Sequence, residues 1–270
     1  MRRSLTVLIT SLALCLPLVV AAAIDGAAPT VLITGANRGL GFEFARQYAA
    51  DGWNVIATAR KPEAADDLQA LAEEYSGVTI EQLDVLDLDR IDALAAKYAD
   101  QPIDVLLNNA GISGNPMPGQ MFRKLDYDLF DDFMQTNARG PLKMSEAFLN
   151  HVEASEQRKI VVVSSRAGLF SQFGAAARGT YFYRASKTAL NMLMLQVADD
   201  VKRRGITVVM LNPGLVDTQN QLTELNEKLN LGLTLVPIVE SISGMRAVIA
   251  ARSLDESGNL YQWHGEQLEY

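Results

Sequence analysis

From Thr30 onward, short apolar runs alternate with longer amphipathic stretches, and this rhythm limits the possible folds more than any other feature of the chain. The runs are Val31-Leu32-Ile33, Asn54 to Ala57, Val78-Thr79-Ile80, Ile103 to Leu107, Lys159 to Val163 and Ile206 to Met210. Runs that are apolar almost throughout predict strands buried on both faces, and the helical patterns between them predict crossovers. The combination is an α/β fold, a doubly wound parallel sheet forming a single domain over residues 30–270. In such sheets ligands sit at the carboxyl ends of the strands. A chain of 270 residues, 49% hydrophobic and 21% charged, is long enough to enclose one such core. Gly205, after Arg203-Arg204, marks a helix end. The polar, Leu- and Asn-rich segment from Val216 to Pro237 follows the sixth run, where a mobile lid would sit.

The N-terminal segment stands apart. Arg2 and Arg3 precede an apolar run from Leu5 to Val20, and Ala21-Ala22-Ala23 offers the small residues that a signal peptidase requires. Residues 1–23 are expected to be a signal peptide, with an uncleaved membrane anchor as the alternative, because Leu5 to Ala23 is nearly long enough to span a bilayer. Pro17 and the hydroxylated residues of the run favour cleavage. The protein is then exported, to a periplasm or secretory lumen, and residues 24–29 form a short linker. Any membrane association runs through this segment alone. Cleavage would also remove Cys15, the single cysteine. With His151 and His264 isolated, no metal site is expected. A formal charge of −8 argues against nucleic acid as a partner.

Thr34-Gly35-Ala36-Asn37-Arg38-Gly39-Leu40-Gly41 follows the first run and opens an amphipathic helix. A glycine-rich turn from strand to helix lets the backbone approach a pyrophosphate at the positive end of the helix. The second run ends Thr58-Ala59-Arg60-Lys61, without an acid. A carboxylate there would suit the free 2′-hydroxyl of NAD, whereas an arginine suits the 2′-phosphate of NADP. NADP(H) is therefore expected over NAD(H), with Arg60 and Arg38 closing on that phosphate from two sides.

Tyr183 and Lys187 are spaced to lie on one face of a helix. A nearby cation favours ionised phenol, so Lys187 is expected to pull Tyr183 below its ordinary pKa of ~10 and make it a proton donor near neutrality. The same spacing also arises by chance, and it acquires meaning only beside a hydride donor and partner residues.

Several further motifs fall at predicted strand ends. Asp84 follows the third run, Asn108-Asn109-Ala110-Gly111 the fourth, Ser164-Ser165 the fifth, and Asn212-Pro213-Gly214 with Thr218 the sixth; Asn137 lies in the helix after the fourth. With the glycine turn and Tyr183-Xaa-Xaa-Xaa-Lys187, this ordered set resembles the short-chain dehydrogenase/reductases over essentially everything after the leader. The wording of the turn, Tyr-Arg-Ala-Ser-Lys, and the ending Ser257-Gly-Asn-Leu-Tyr with Trp263-His-Gly265 are similar to the carbonyl-reductase branch that includes the C-factor and sniffer proteins.

The resemblance implies a Rossmann-type fold and a set of roles. Gly35, Gly39 and Gly41 would form the pyrophosphate turn, with Asn37, Arg38 and Leu40 beside the cofactor. Asp84 would bind the adenine amino group and Val85 would lie against the ring. Asn109, Ala110 and Gly111 would line the groove, and Pro213, Gly214, Val216 and Thr218 would hold the carboxamide side. The catalytic set would be Asn137, Ser165, Tyr183 and Lys187, the last two also touching the cofactor. Ser165 is preferred to Ser164 because the family's serine stands three residues before a glycine, here Gly168. The implied reaction is hydride transfer from NADPH to an aldehyde or ketone. Ser165 and Tyr183 would bind the carbonyl oxygen, Tyr183 would donate the proton, and Asn137 would hold a water. An NADP-binding regulator with little turnover is the alternative, and a homodimer stays open.

Two features depart from the family pattern. Ser165 and Tyr183 are further apart than is usual, with the extra residues at 174–179. That insertion either borders the substrate mouth and the usual dimer contact, or is a plain surface loop. The leader is the second departure, since an exported enzyme needs its own supply of NADPH. Met117, Met121, Phe122, Phe170, Phe173 and Leu215 fall near strand ends and are candidates for an apolar pocket, or for ordinary packing.

Overall fold

A computed structural model describes residues 25–113, 119–172, 180–230 and 232–270. The expected leader with Cys15, the insertion at 174–179, Met117 and Phe173 lie outside the described residues.

The predicted runs are strands. In chain order they are β1 (Thr30–Ile33), β2 (Asn54–Ala59), β3 (Val78–Gln82), β4 (Val105–Asn108), β7 (Lys159–Val163) and β8 (Thr207–Asn212), with a small hairpin of β5 (Gln120–Met121) and β6 (Lys124–Leu125) between β4 and β7. Two short strands that the sequence pattern did not announce, β9 (Asn259–Gln262) and β10 (Gln267–Leu268), extend the far edge. The main sheet has the order β10-β9-β8-β7-β4-β1-β2-β3 and is parallel except for β10. Chain order reverses between β1 and β4, and the crevice at such a switch point is where nucleotides bind in doubly wound sheets.

The helices are α1 (Gly39–Ala50), α2 (Asp66–Glu74), α3 (Leu88–Lys97), α4 (Asp128–Met134), α5 (Gly140–Ala147), α6 (Leu149–Glu153), α7 (Tyr181–Val201), α8 (Gln221–Leu229) and α9 (Ile238–Ala251). Alternate strand residues divide the core in two, as the two-residue period of a strand requires. Val31, Ile33, Val105, Leu107 and Val161 face Phe44 of α1, Leu68 of α2 and Met245 of α9. Leu32, Leu106, Ile160 and Val162 face Ile91 of α3, Met144 of α5 and Leu190 and Met194 of α7. Central strands covered on both faces explain why the apolar runs lack alternation.

Several local expectations are met and others refined. Gly205 ends the turn after α7 in a left-handed conformation (φ +71°) and donates its N–H to Lys202 O. Residues 25–29, expected as a linker, are tied to β2: the Asn54 amide donates to Asp25 O and Ala28 O, and its Oδ1 accepts from Asp25 N. The expected lid contains α8, and Asp217 accepts the N–H of Thr223 at 2.7 Å. Between α4 and α5 the helix widens into a π turn, Gln135–Arg139. Among the described residues no helix is long and apolar enough to cross a membrane.

Candidate active site

The cofactor side is built mostly from backbone. Gly35 (φ +66°) and Gly39 (φ +56°) hold the turn after β1 in left-handed conformations open to glycine. At Gly41 a Cβ would stand 2.2 Å from Gly35 O and 2.5 Å from Asn109 Nδ2, so no side chain fits there. The Thr34 hydroxyl accepts the N–H groups of Asn109 and Ala110, each at 2.9 Å. In return the Asn109 amide donates to Thr34 O at 2.9 Å and Gly35 O at 3.1 Å. Ala36 N donates to Thr58 O, joining the end of β2 to the same turn. Arg38, the N-cap of α1, makes no side-chain cap, so the first N–H groups of that helix are not taken by it. A tight turn without side chains, opening a helix whose end is uncapped, fits a dinucleotide pyrophosphate.

Around this cradle the other candidate contacts take their places. Thr218 packs 3.2 Å from the position of a Cβ on Gly39, which closes the groove from the β8 side. Leu40 leans on the core, while Asn37, Arg38 and Arg60 are exposed. Asp84 accepts the N–H of Leu86 at 3.0 Å, and buried Val85 packs against Gly140. Pro213 O accepts from the Ser241 hydroxyl, and Leu215 O accepts from Val236 N. Gly214 (φ +81°) lies between Val236 and Trp263, and Val216 is half-buried.

The catalytic candidates converge from four elements. Asn137 sits in the π turn, a feature that recurs at functional sites. Its Oδ1 accepts from Ile112 N at 2.9 Å, and its Nδ2 donates to Ile112 O and to Ser186 Oγ, each at 3.0 Å. The side-chain amide is thus engaged in fixing the segment after β4. The Ser186 hydroxyl in turn donates to Tyr183 O at 2.8 Å. A Cβ at Gly111 would lie 3.0 Å from Asn137 Oδ1 and 3.8 Å from Lys187 Nζ, so the cofactor groove and the catalytic helix meet at this residue. Ser164 is turned inward, its hydroxyl hydrogen-bonded to Asn191, whereas Ser165 caps the short turn Arg166–Gly168 by accepting from Ala167 N at 3.1 Å. Ser165, unlike Ser164, has its hydroxyl near enough to the Tyr183 phenol to favour the ionised form.

The expected electrostatics of Tyr183 are not found. Burial raises the pKa of its phenol above the ordinary value, and the nearby Ser165 hydroxyl offsets this only in part. Lys187 donates to Val163 O at 2.9 Å and lies over the Tyr183 ring, 5.9 Å from its centroid. The ammonium therefore faces the ring and a backbone carbonyl, and desolvation governs the phenol. Burial pushes Lys187 itself down to about 8. Helical spacing gave the neighbourhood correctly, but the sign of the shift was wrong.

Ser186 and the Val163 carbonyl belong to the site and had been given no role. Ser186 was within reach of sequence reasoning, as it lies between the two residues of the motif. Of the candidate pocket residues, Met121, Phe122, Phe170 and Leu215 are exposed, Phe170 by 80%. Side chains this exposed do not line an enclosed cavity.

Known proteins share this fold. The family model described as short chain dehydrogenase matches residues 29–229. The crystal structure of NADPH-bound carbonyl reductase from chicken fatty liver superposes with a TM-score of 0.78 at 30% identity, covering 90% of this chain and 99% of the other. The carbonyl reductase Sniffer of D. melanogaster gives a TM-score of 0.77 at 27% identity, covering 90% of this chain and all 100% of that one. The short-chain dehydrogenase anuI of Penicillium roqueforti is 34% identical over 205 residues, which is 70% of this chain and 79% of that protein.

Proposed function

The chain belongs to the short-chain dehydrogenase family of oxidoreductases, and from that premise we propose that it is an NADPH-dependent carbonyl reductase acting on an aldehyde or ketone. The observation that carries the reading is the meeting at Gly111: the groove lined by the glycine turn reaches Asn137 and Lys187, and Lys187 lies against the Tyr183 ring.

NADPH held in this groove would supply a hydride to the carbonyl carbon. Gly35, Gly39, Gly41, Asn109 and Thr218 would hold it, and exposed Arg38 and Arg60 would take the 2′-phosphate. The chain's own groups then manage charge and proton. Ser165 and Tyr183 donate hydrogen bonds to the carbonyl oxygen, where negative charge develops. Tyr183 gives up its proton as the alcohol forms. A phenol held above its ordinary pKa is fully protonated at neutral pH, so the acid is loaded before the reaction begins. Lys187 stands beside that ring, and Asn137, through Ser186, fixes the backbone on which Tyr183 stands.

The test is a panel of simple aldehydes and quinones, read by NADPH oxidation. Tyr183→Phe is expected to lower turnover roughly 10²–10⁴-fold while the change in NADPH fluorescence on binding persists. A variant as fast as wild type would overturn the mechanism. Arg60→Asp is expected to weaken NADPH far more than NADH, and equal losses would remove the phosphate assignment. The reading extends to residues 1–23 as an export signal, or an anchor if uncut; N-terminal sequencing that finds Met1 on processed protein contradicts cleavage.

A further inference from the structure

Hairpin β5–β6 reverses the usual placement of polar and apolar side chains. Gln120 is buried at 0% exposure, while the neighbouring Met121 and Phe122 are 58% and 70% exposed. A buried amide flanked by exposed apolar residues requires a polar purpose, because burial without hydrogen bonds is unfavourable. The purpose is visible at the start of α7. Thr180, the N-cap, makes no side-chain cap, and the third residue of the helix, Tyr183, donates its N–H to Gln120 Oε1 at 3.0 Å. This N–H is one of the donors that a helix cannot satisfy within itself. The cap arrives from a different part of the chain, 63 residues away in sequence.

The hairpin that delivers it is itself fixed. Gly119 (φ +88°) accepts the N–H of Asp126 at 2.9 Å, and a Cβ there would stand 2.9 Å from Asp126 Cβ and 3.0 Å from Leu129 Cδ1. Tyr183 is consequently gripped by its backbone and its ring. Its N–H donates to Gln120 Oε1, its C=O accepts from Ser186, and its ring meets the edge of buried Phe133 at 6.4 Å.

We propose that Gln120 is a positioning residue for the reaction: its side-chain oxygen caps α7 at Tyr183 and so holds the phenol in register with Ser165. The inference rests on the reading of Tyr183 as the proton donor, and the experiment separates the two. Wild type, Gln120→Leu, Gln120→Glu and Tyr183→Phe are compared as full chains for NADPH binding by fluorescence, for kcat and KM, and for the pH profile of kcat. Gln120→Leu keeps the size but loses the acceptor. It is expected to lower kcat by roughly 10²-fold, the scale of a displaced catalytic group, with NADPH binding and KM unchanged. Its alkaline limb should move to lower pH, because a phenol displaced from its buried seat loses part of the desolvation that holds its pKa up. Gln120→Glu retains an acceptor oxygen and is expected to restore most of the turnover and the wild-type limb.

Wild-type kcat in Gln120→Leu, with Tyr183→Phe inactive, overturns the positioning role alone. So does a loss in which Gln120→Glu fails equally, or one that appears in KM instead of kcat. Should Gln120→Leu not fold, Gln120→Glu decides: a folded variant with kcat far below wild type shows that the acceptor is not what the site requires. Wild-type turnover in Tyr183→Phe instead removes the reading on which the inference stands.

Discussion

The two ends of the groove are held by different means. At the cofactor end the determinants are backbone: left-handed glycines, a missing Cβ at Gly41, and main-chain groups of Asn109 and Ala110 tied to Thr34. At the substrate end they are side chains reaching across elements, with Gln120 on α7, Asn137 on the segment after β4, and Lys187 on Val163 O. Next to the second end, exposed Phe122 stacks on exposed Tyr181. A site built from backbone tolerates almost no change at its glycines. A site built from long-range side-chain contacts leaves its exposed neighbours freer to vary.

The sharpest way to break this contrast is Gly41→Ala. Its new methyl meets Gly35 O and Asn109 Nδ2 well inside contact distance. The overpacking should destabilise the fold by about 3 kcal/mol, with NADPH binding lost, as read by thermal melting and fluorescence titration. Thr34→Val comes next. It preserves shape but leaves the N–H groups of Asn109 and Ala110 without their acceptor, a cost of about 2 kcal/mol in urea denaturation.

A smaller, graded effect concerns Lys187. Its folded pKa of about 8 lies below the ordinary 10.5, so across that window the unfolded chain binds more protons than the folded one. The penalty of burying the ammonium is present in full below pH 8 and is relieved as pH rises through it. The difference in melting temperature between wild type and Lys187→Met, both without cofactor, should therefore shift in favour of wild type from pH 7 to 9.5. Tyr183 acts in the opposite sense: with a raised folded pKa, its contribution is lost as pH climbs above the ordinary phenol value of 10. At the small end, Phe122→Ser at an exposed position should change stability by no more than about 0.5 kcal/mol, and a larger loss would mean that this side chain is part of the core.

The contrast also explains what could be read before the structure. Strands such as Val105–Asn108 and Lys159–Val163 are apolar on both faces, and that pattern is written in consecutive letters. The glycine turn is equally legible, because left-handed backbone restricts residue type directly. Strands β9 and β10 and the hairpin β5–β6 are two to four residues long and carry no period to detect. Gln120 was unreadable for another reason: its partner is Tyr183, and nothing local to Gly119-Gln120-Met121 points there. The phenol's shift went astray because a four-residue spacing fixes where two Cβ atoms lie but not where a long amine ends. Lys187 turns to Val163 O, and burial decides the rest.

The π turn at Gln135–Arg139 makes the site sensitive to length more than to composition. Helices α4 and α5 are joined through it with no break, so their relative rotation is set by a count of residues. Losing one codon in this stretch would restore ordinary helical spacing and rotate one half against the other by about 100°. Asn137 would swing off Ile112, and the hairpin that carries Gln120 would be drawn off α7. Neutral drift can exchange letters on the outer face of this rod, but it cannot shorten the word.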